Sequence, residues 1–256
     1  MTEHRLSGAA RLRYARHLAL PQVGEAGQHT IGRGRVLVIG LGGLGSPASL
    51  YLASAGIGEL WLNDFDRVDG SNLQRQVLYR ASDVGERKAT AAAKALREVN
   101  GDVKLHPLDE RLDQAGLRDA VGAVDVVLDG SDNFATRFAV NAACAQVGTP
   151  VVSGAAIRFE GQLAVFRHDR RRQHGEDTPC YRCLFAESDE ANEDCQGNGV
   201  FAPLVGTVGT MMAAEALKLL LGVGEDSAGR LLTYDALNMH WRSLRFARDP
   251  ACPVCA

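Results

Sequence analysis

Gly40-Leu41-Gly42-Gly43-Leu44-Gly45 spells G-x-G-x-x-G. The apolar run Arg35-Val36-Leu37-Val38-Ile39 leads into it and Ser46-Pro47, a helix start, follows it. That strand–turn–helix context is what gives such a loop meaning. Glycine at 40, 42, 43 and 45 permits a tight turn and lets the backbone approach a phosphate. The helix start adds unpaired N–H groups and the positive end of the helix dipole. Asp64 lies 24 residues after Gly40, at the end of the second predicted strand, where a carboxylate can accept from ribose hydroxyls. The loop by itself leaves NAD, FAD and ATP open.

The residues after Asp64 favour a triphosphate. Ser71-Asn72-Leu73-Gln74-Arg75-Gln76 is a polar stretch in a predicted loop, Arg87-Lys88 stands at the start of the next helix, and Asp129-Gly130-Ser131-Asp132-Asn133 ends the fourth predicted strand. In open parallel sheets ligands lie beyond the carboxyl ends of the strands, and Asp64, Arg75, Lys88 and Asp132 all fall near that edge. Arginine grips phosphate oxygens in a bidentate way, lysine acts as a point charge, and an aspartate suits Mg²⁺. A hydride-transfer site needs no such set. Taken singly, each of these residues also fits a salt-bridged surface.

Six cysteines in 256 residues are too few for a disulfide scaffold. Cys180-Tyr181-Arg182-Cys183 and Cys252-Pro253-Val254-Cys255 form two C-x-x-C pairs with 68 residues between them. Each pair can give two thiolates to one tetrahedral zinc, and four thiolates leave no open position, so such a metal is structural. Redox pairs or unused thiols are the alternative. Cys144 lies in Val140-Asn141-Ala142-Ala143-Cys144-Ala145, a helix face that reads as core. Cys195 sits in the polar stretch Asn192-Glu193-Asp194-Cys195-Gln196-Gly197-Asn198-Gly199, whose acidic neighbours do nothing to lower its pKa.

The elements that must carry these groups follow from the apolar pattern. Strands are predicted at 35–39, 60–62, 103–105, 124–128 and 151–152, with helices from Ser46 to Gly56, Glu86 to Val99 and Phe134 to Val147. This βαβα alternation predicts an α/β fold: a Rossmann-type, mainly parallel sheet with helices on both faces. After Ser153 the pattern changes. Phe159 to Gln162 reads as a turn and Leu163 to Phe166 as an antiparallel strand; a polar loop, with Arg170-Arg171-Arg172, runs from His168 to Asn198. A helix from Pro203 to Leu221 and strands at 231–234 and 241–246 complete an antiparallel C-terminal extension. We expect a single α/β unit over 1–256: an N-terminal helical segment (1–33), a nucleotide-binding core (34–153) and the extension with the four-cysteine zinc site (154–256).

Composition narrows the class. Charged residues are 23% and the hydrophobic set 46%, which excludes disorder and collagen-like order. A net charge of −3 argues against a nucleic-acid partner. Met211 to Leu221, the most apolar stretch, is short and carries Glu215 and Lys218, so no membrane span is expected. The N-terminus holds Arg5, Arg11, Arg13 and Arg16 without an apolar core, so it is no secretory signal; Arg-rich and acid-poor, it could mimic a transit peptide, though it lacks serine enrichment. The expected address is the cytoplasm.

GLGGLGSP, DFD, SNLQRQ, Lys88 and DGSDN together resemble the adenylation core of the MoeB/ThiF family, bacterial relatives of ubiquitin-activating enzymes, from Arg13 to Cys255. The resemblance implies a homodimer that uses ATP to adenylate the C-terminal glycine of a ubiquitin-like sulfur carrier ending in Gly-Gly. It implies that Asp64 holds the ribose, that Asn72, Arg75 and Lys88 contact phosphates, and that Asp132 binds Mg²⁺. Gly43, Ser71 and Asn133 match nucleotide-site positions, and the four paired cysteines match a structural zinc. Arg13-Tyr14-Ala15-Arg16-His17 resembles the family's RYxRQ motif, which makes Arg16 a catalytic finger reaching the neighbouring subunit's ATP; His17 departs from the usual Gln. Cys195 matches a cysteine that can link covalently to the carrier. Ser153 to Gln162 looks more like enzymes acting on a MoaD-like carrier of molybdenum cofactor synthesis, whereas Trp241-Arg242-Ser243-Leu244 and the last cysteine pair look like those acting on a ThiS-like carrier of thiamine synthesis. The chain ends one residue after Cys255, so a separate sulfur donor protein is expected. An NAD-dependent oxidoreductase, a zinc-binding carrier scaffold without catalysis, and a branch adenylating a tRNA-linked carboxylate are the competing readings.

Overall fold

In the computed structural model, which describes residues 6–185, 199–225 and 227–256, the first predicted strand is β1, Arg35–Ile39. It pairs in parallel with β2 (Glu59–Asn63) on one side and β4 (Val126–Asp129) on the other. β3 (Lys104–Leu108) and β5 (Val151–Ile157) extend the parallel part outward. Beyond β5 the sheet turns antiparallel through β6 (Glu160–Phe166), β7 (Arg230–Asp235) and β8 (His240–Arg245). The spatial order is β3-β2-β1-β4-β5-β6-β7-β8. Strand order reverses at β1, so the crevice between the carboxyl ends of β1 and β4 is the natural ligand position in this doubly wound arrangement.

β1 is buried on both faces, which is why it reads as a continuous apolar run. Val36 and Val38 join one core cluster and Leu37 and Ile39 the other. The first cluster takes in α4 (Gly45–Ser54) and α5 (Lys88–Val99). The second takes in α6 (Gln114–Gly122) and α7 (Phe134–Val147). Three short N-terminal helices, α1 (Gly8–Arg13), α2 (Ala15–Leu18) and α3 (Gly24–Ile31), precede β1. Buried Asn100 donates to Tyr14 Oη and to Ala53 O, tying this segment to the ends of α4 and α5.

Several expectations are corrected. α6 carries no predicted counterpart; Asp113 caps it and it buries Leu117, Ala120 and Val121. The expected turn at 159–162 is one step earlier: Arg158, at φ 51°, makes the hairpin bend and Glu160 already lies in β6. The expected polar loop from His168 contains α8 (His168–His174) and α9 (Tyr181–Leu184), so Arg170 and Arg171 lie on a helix. The last helix, α10 (Ala202–Leu221), has a mean hydropathy of 1.5 and the length to cross a membrane, which the expectation of no such segment missed. Its Leu204, Val208, Met212, Ala213 and Ala216 are buried in the first core cluster, so packing on the sheet accounts for its apolar character.

α8 buries His168, and that burial, aided by Arg171 and opposed by Asp169, pushes its imidazole down to about 4. An unfolded histidine titrates near ~6.5. The folded pKa is depressed, so this contribution is complete above ~6.5 and is lost as pH falls toward 4, by at most about tenfold in the folding constant per pH unit. Urea denaturation of His168→Gln should therefore show a smaller loss of stability between pH 7.5 and pH 5 than the wild type. Equal losses in both proteins would refute the assignment.

Candidate active site

The glycine loop is held through the backbone N–H and carbonyl of Leu41. Asp64 Oδ2 accepts from the Leu41 N–H at 2.8 Å. The Leu41 carbonyl accepts from Ser46 Oγ at 3.0 Å and from Tyr79 Oη at 2.9 Å. Gly40 takes φ +81°, open to glycine at no steric cost. A Cβ on Gly45 would sit 1.9 Å from the Gly40 carbonyl oxygen, so Gly45 serves the loop's closure and not its ligand face. Gly42 has open space in front of it, its nearest neighbour being Gln76 Nε2 at 3.6 Å.

In front of this loop lies a cavity of about 710 Å³, within the size range of cofactor pockets. Gly40, Gly42, Gly43, Asp64, Arg75, Lys88, Asp132 and Asn133 all line it, as the sequence predicts. Gly45, Ser71, Asn72 and Arg16 do not. Ser71 and Asn72 lie in a short 3₁₀ turn capped by Asp69, and the Ser71 carbonyl accepts from Arg75 Nη1 at 3.1 Å. The Asn72 carbonyl accepts from the Arg75 N–H at 3.1 Å, so this turn also positions Arg75. Arg16 is exposed on α2. Cys195 lies outside the described residues.

The charges are arranged in depth. Asp64 is held by the Leu41 and Asp66 N–H groups. Burial nevertheless raises its pKa, against the lowering pull of Lys88 and of those two N–H groups. Lys88, the first residue of α5, opposes the helix dipole there. It is buried, 3.0 Å from Asp66 Oδ2 and 3.9 Å from Asp64 Oδ2, and those carboxylates offset both the dipole and the lost hydration. Asp132 is exposed in the loop after β4. Asn133 both lines the cavity and caps α7, accepting from the Thr136 N–H at 2.9 Å.

Sequence reasoning missed Asp66, Gln76 and Arg137. Asp66 is the close partner of Lys88. Gln76 is buried with its Oε1 unpartnered among the described residues, facing a ligand space. Arg137, buried in α7, donates to the Ser131 and Gly154 carbonyls and so fixes the loop that presents Asp132. The DFD and SNLQRQ motifs contain the first two; only the sequence spacing of Arg137 from Asn133, one helical turn, marks the third.

The four paired cysteines converge, with all Sγ atoms within 4.8 Å of one another. Their Sγ–Sγ distances are 3.8 Å for Cys180–Cys183, 3.6 Å for Cys180–Cys252 and 3.4 Å for Cys183–Cys255. A tetrahedron of thiolates at ~2.3 Å from zinc has edges of about 3.8 Å, so the set could hold such an ion and is too open for disulfides. Burial pushes the Cys255 thiol up to about 11 and the Cys180 thiol higher still. A divalent cation is what lets buried thiols ionise together. Cys144 is fully buried in the core, as expected, and burial raises its thiol pKa.

A doubly wound sheet with a glycine loop at its switch point, an acid after β2 and cations facing the same cavity defines a nucleotide-binding α/β protein. The family is shown by comparison: the ThiF family model matches residues 14–254, and the chain belongs to that family. It is 48% identical to the sulfur carrier protein adenylyltransferase of Thermus thermophilus over 95% of this chain and 90% of that one. It is 44% identical to the molybdopterin-synthase adenylyltransferase of Escherichia coli, over 98% of both chains. It is also 43% identical to the sulfur carrier protein ThiS adenylyltransferase of the same organism, over 95% and 94%. In fold it is similar to Escherichia coli MccB, crystallised with ATP, with a TM-score of 0.81 at 24% identity over 95% of this chain and 73% of that one.

Replacing Cys255 by Ser should abolish tight retention of one divalent ion per chain and lower stability by several kcal/mol. Elemental analysis and thermal melting read both effects, with Cys144→Ala as the variant that keeps its metal. Full metal content in Cys255→Ser would rule out the four-thiolate site.

Proposed function

We infer that this chain is an adenylyltransferase that uses ATP to activate the C-terminal glycine carboxylate of a sulfur carrier protein. One observation carries the reading: the glycine loop, Asp64, Arg75, Lys88 and Asp132 face a single cavity in a ThiF-family chain. The reaction explains why it needs no catalytic triad. A C-terminal carboxylate is ionised at neutral pH and needs no general base. It attacks the α-phosphorus, a new C–O–P bond forms, the bond from the α-phosphorus to the bridging oxygen breaks, and pyrophosphate leaves with that electron pair. Bringing an anion to a polyanion is a matter of placement and charge neutralisation. Arg75 and Lys88 supply the cations at the phosphates, Asp64 anchors the ribose, and Asp132 would hold Mg²⁺, which shields the leaving phosphates.

Arg16 completes the set in a homodimer, contributed to the partner's ATP; its exposure away from its own cavity supports this. The four cysteines hold a structural zinc. Cys195 is proposed to link to the carrier, with sulfur arriving from a separate donor, in the cytoplasm and without nucleic acid. Ser153 to Gln162 favours a MoaD-like carrier and the molybdenum cofactor route. The segment Trp241 to Leu244 and the Cys252–Cys255 pair favour a ThiS-like carrier as the second reading.

Pyrophosphate exchange into ATP, measured with each purified carrier ending in Gly-Gly, tests the reaction and ranks the carriers. Exchange with neither carrier would overturn it. Arg75→Ala and Asp132→Ala should lower exchange by about 10²–10³-fold, the scale seen on removing a transition-state charge contact. Arg16→Ala should lose ~10³-fold or more, as arginine fingers do. Mixing Arg16→Ala with Arg75→Ala protein should recover part of the activity through the heterodimer.

A further inference from the structure

Arg111 faces the nucleotide cavity and belongs to none of the motifs that define it. Its guanidinium carbon lies 4.6 Å from the ring centroid of Phe65, the residue after Asp64. Apart from this ring, Arg111 has no hydrogen-bond or ion-pair partner among the described residues. The loop that carries it is not loose. Asn63 Nδ2 donates to the carbonyls of Leu108 and Glu110, both at 3.0 Å, and so fastens the end of β3 to the end of β2. Phe65 is fixed in turn, because its carbonyl accepts from Arg87 Nη1 at 2.6 Å. An arginine whose five N–H donors are unspent is thus held over an aromatic face at the wall of the cavity.

Its place relative to the other groups says what it meets. The glycine loop, Arg75 and Lys88 mark where phosphates go, and Asp64 marks the ribose. Leu112, the next residue in the chain, and Leu117 of α6 supply apolar wall in the same cavity. A nucleotide whose sugar is at Asp64 and whose phosphates are at the glycine loop points its base toward this apolar end. Resting on the nucleotide reading above, we propose that Arg111 contacts the nucleoside half of ATP, its guanidinium plane sandwiched between Phe65 and the adenine. A planar cation can stack on an aromatic base while its edge donors reach the base or ribose, which an ammonium cannot do.

Calorimetric binding of ATP, AMP, adenosine and inorganic tripolyphosphate to the full chain separates this role from a phosphate contact. Arg111→Ala should weaken ATP, AMP and adenosine by a similar factor, about three- to tenfold, the scale of one cation–π contact, and leave tripolyphosphate unchanged. Arg111→Lys, which keeps the charge and loses the plane, should behave like Arg111→Ala. Wild-type melting temperature is expected in both, because the side chain is exposed and holds no other group. Unchanged nucleoside binding in Arg111→Ala, a matching loss of tripolyphosphate, or full recovery with lysine would each overturn the proposal. Absence of ATP binding by the wild type would instead remove the nucleotide reading on which it rests.

Discussion

The backbone of Leu41 is the fixed point on which the candidate site depends. Its N–H is taken by Asp64 from the end of β2, and its carbonyl by Ser46 from α4 and by Tyr79 from the segment before α5. Three separate pieces of chain therefore fix the two consecutive peptide planes that meet at Leu41. A glycine loop is entropically costly to order because glycine loses the most freedom on folding. Satisfying both backbone polar groups of a buried residue recovers part of that cost and aims the neighbouring Gly42 at open space. The buried Tyr79 phenol, whose pKa burial raises, remains a neutral donor, as this role needs.

The cysteine cluster bears on the same cavity from the far side. Cys180 begins α9, and the next residue, Tyr181, packs edge-on against Phe166 of β6 and Phe138 of α7, with ring centroids 5.8 and 5.5 Å apart. The Tyr181 N–H donates to Asn141 Oδ1 at 2.9 Å. Tyr181 and Phe185 also line the cavity. Joining Cys180 and Cys183 to Cys252 and Cys255 therefore braces a wall of the candidate site, although no cysteine of the cluster faces it.

What could be read from residues alone follows how local each signal is. β1 was legible because burial on both faces makes an apolar run between Gly34 and Gly40, and the loop after it because glycine spacing is itself the motif. α6 was not, because Gly116 and Gly122 dilute a nine-residue helix whose buried positions are only Leu117, Ala120 and Val121. α8 is polar in sequence and α9 is only four residues long, its first residue held by a distant contact, Asn141 on Tyr181. The site divides in the same way. Asp64, Lys88 and Asp132 sit in recognisable patterns, whereas Asp66 and Arg111 gain their places only when β2, β3 and α5 come together. Ser71 and Asn72 show the reverse: they belong to a recognisable motif, and their position serves Arg75.

The unequal exposure of the two acids beside Lys88 has a consequence for any anion that enters. A buried ammonium without a partner is strongly unfavourable, so the cavity needs a carboxylate beside Lys88 before a ligand arrives. Asp64 is fixed by two backbone N–H groups and its side chain is 8% exposed; Asp66 is the nearer partner and its side chain is 57% exposed. A phosphate oxygen approaching Lys88 competes with Asp66, whose carboxylate can turn to water at little cost, and leaves Asp64 where it is. The charge on Lys88 is thereby passed from a replaceable partner to the ligand, while the carboxylate that anchors the Leu41 peptide never moves. Were the two exposures reversed, binding an anion would pull apart the contact that shapes the glycine loop.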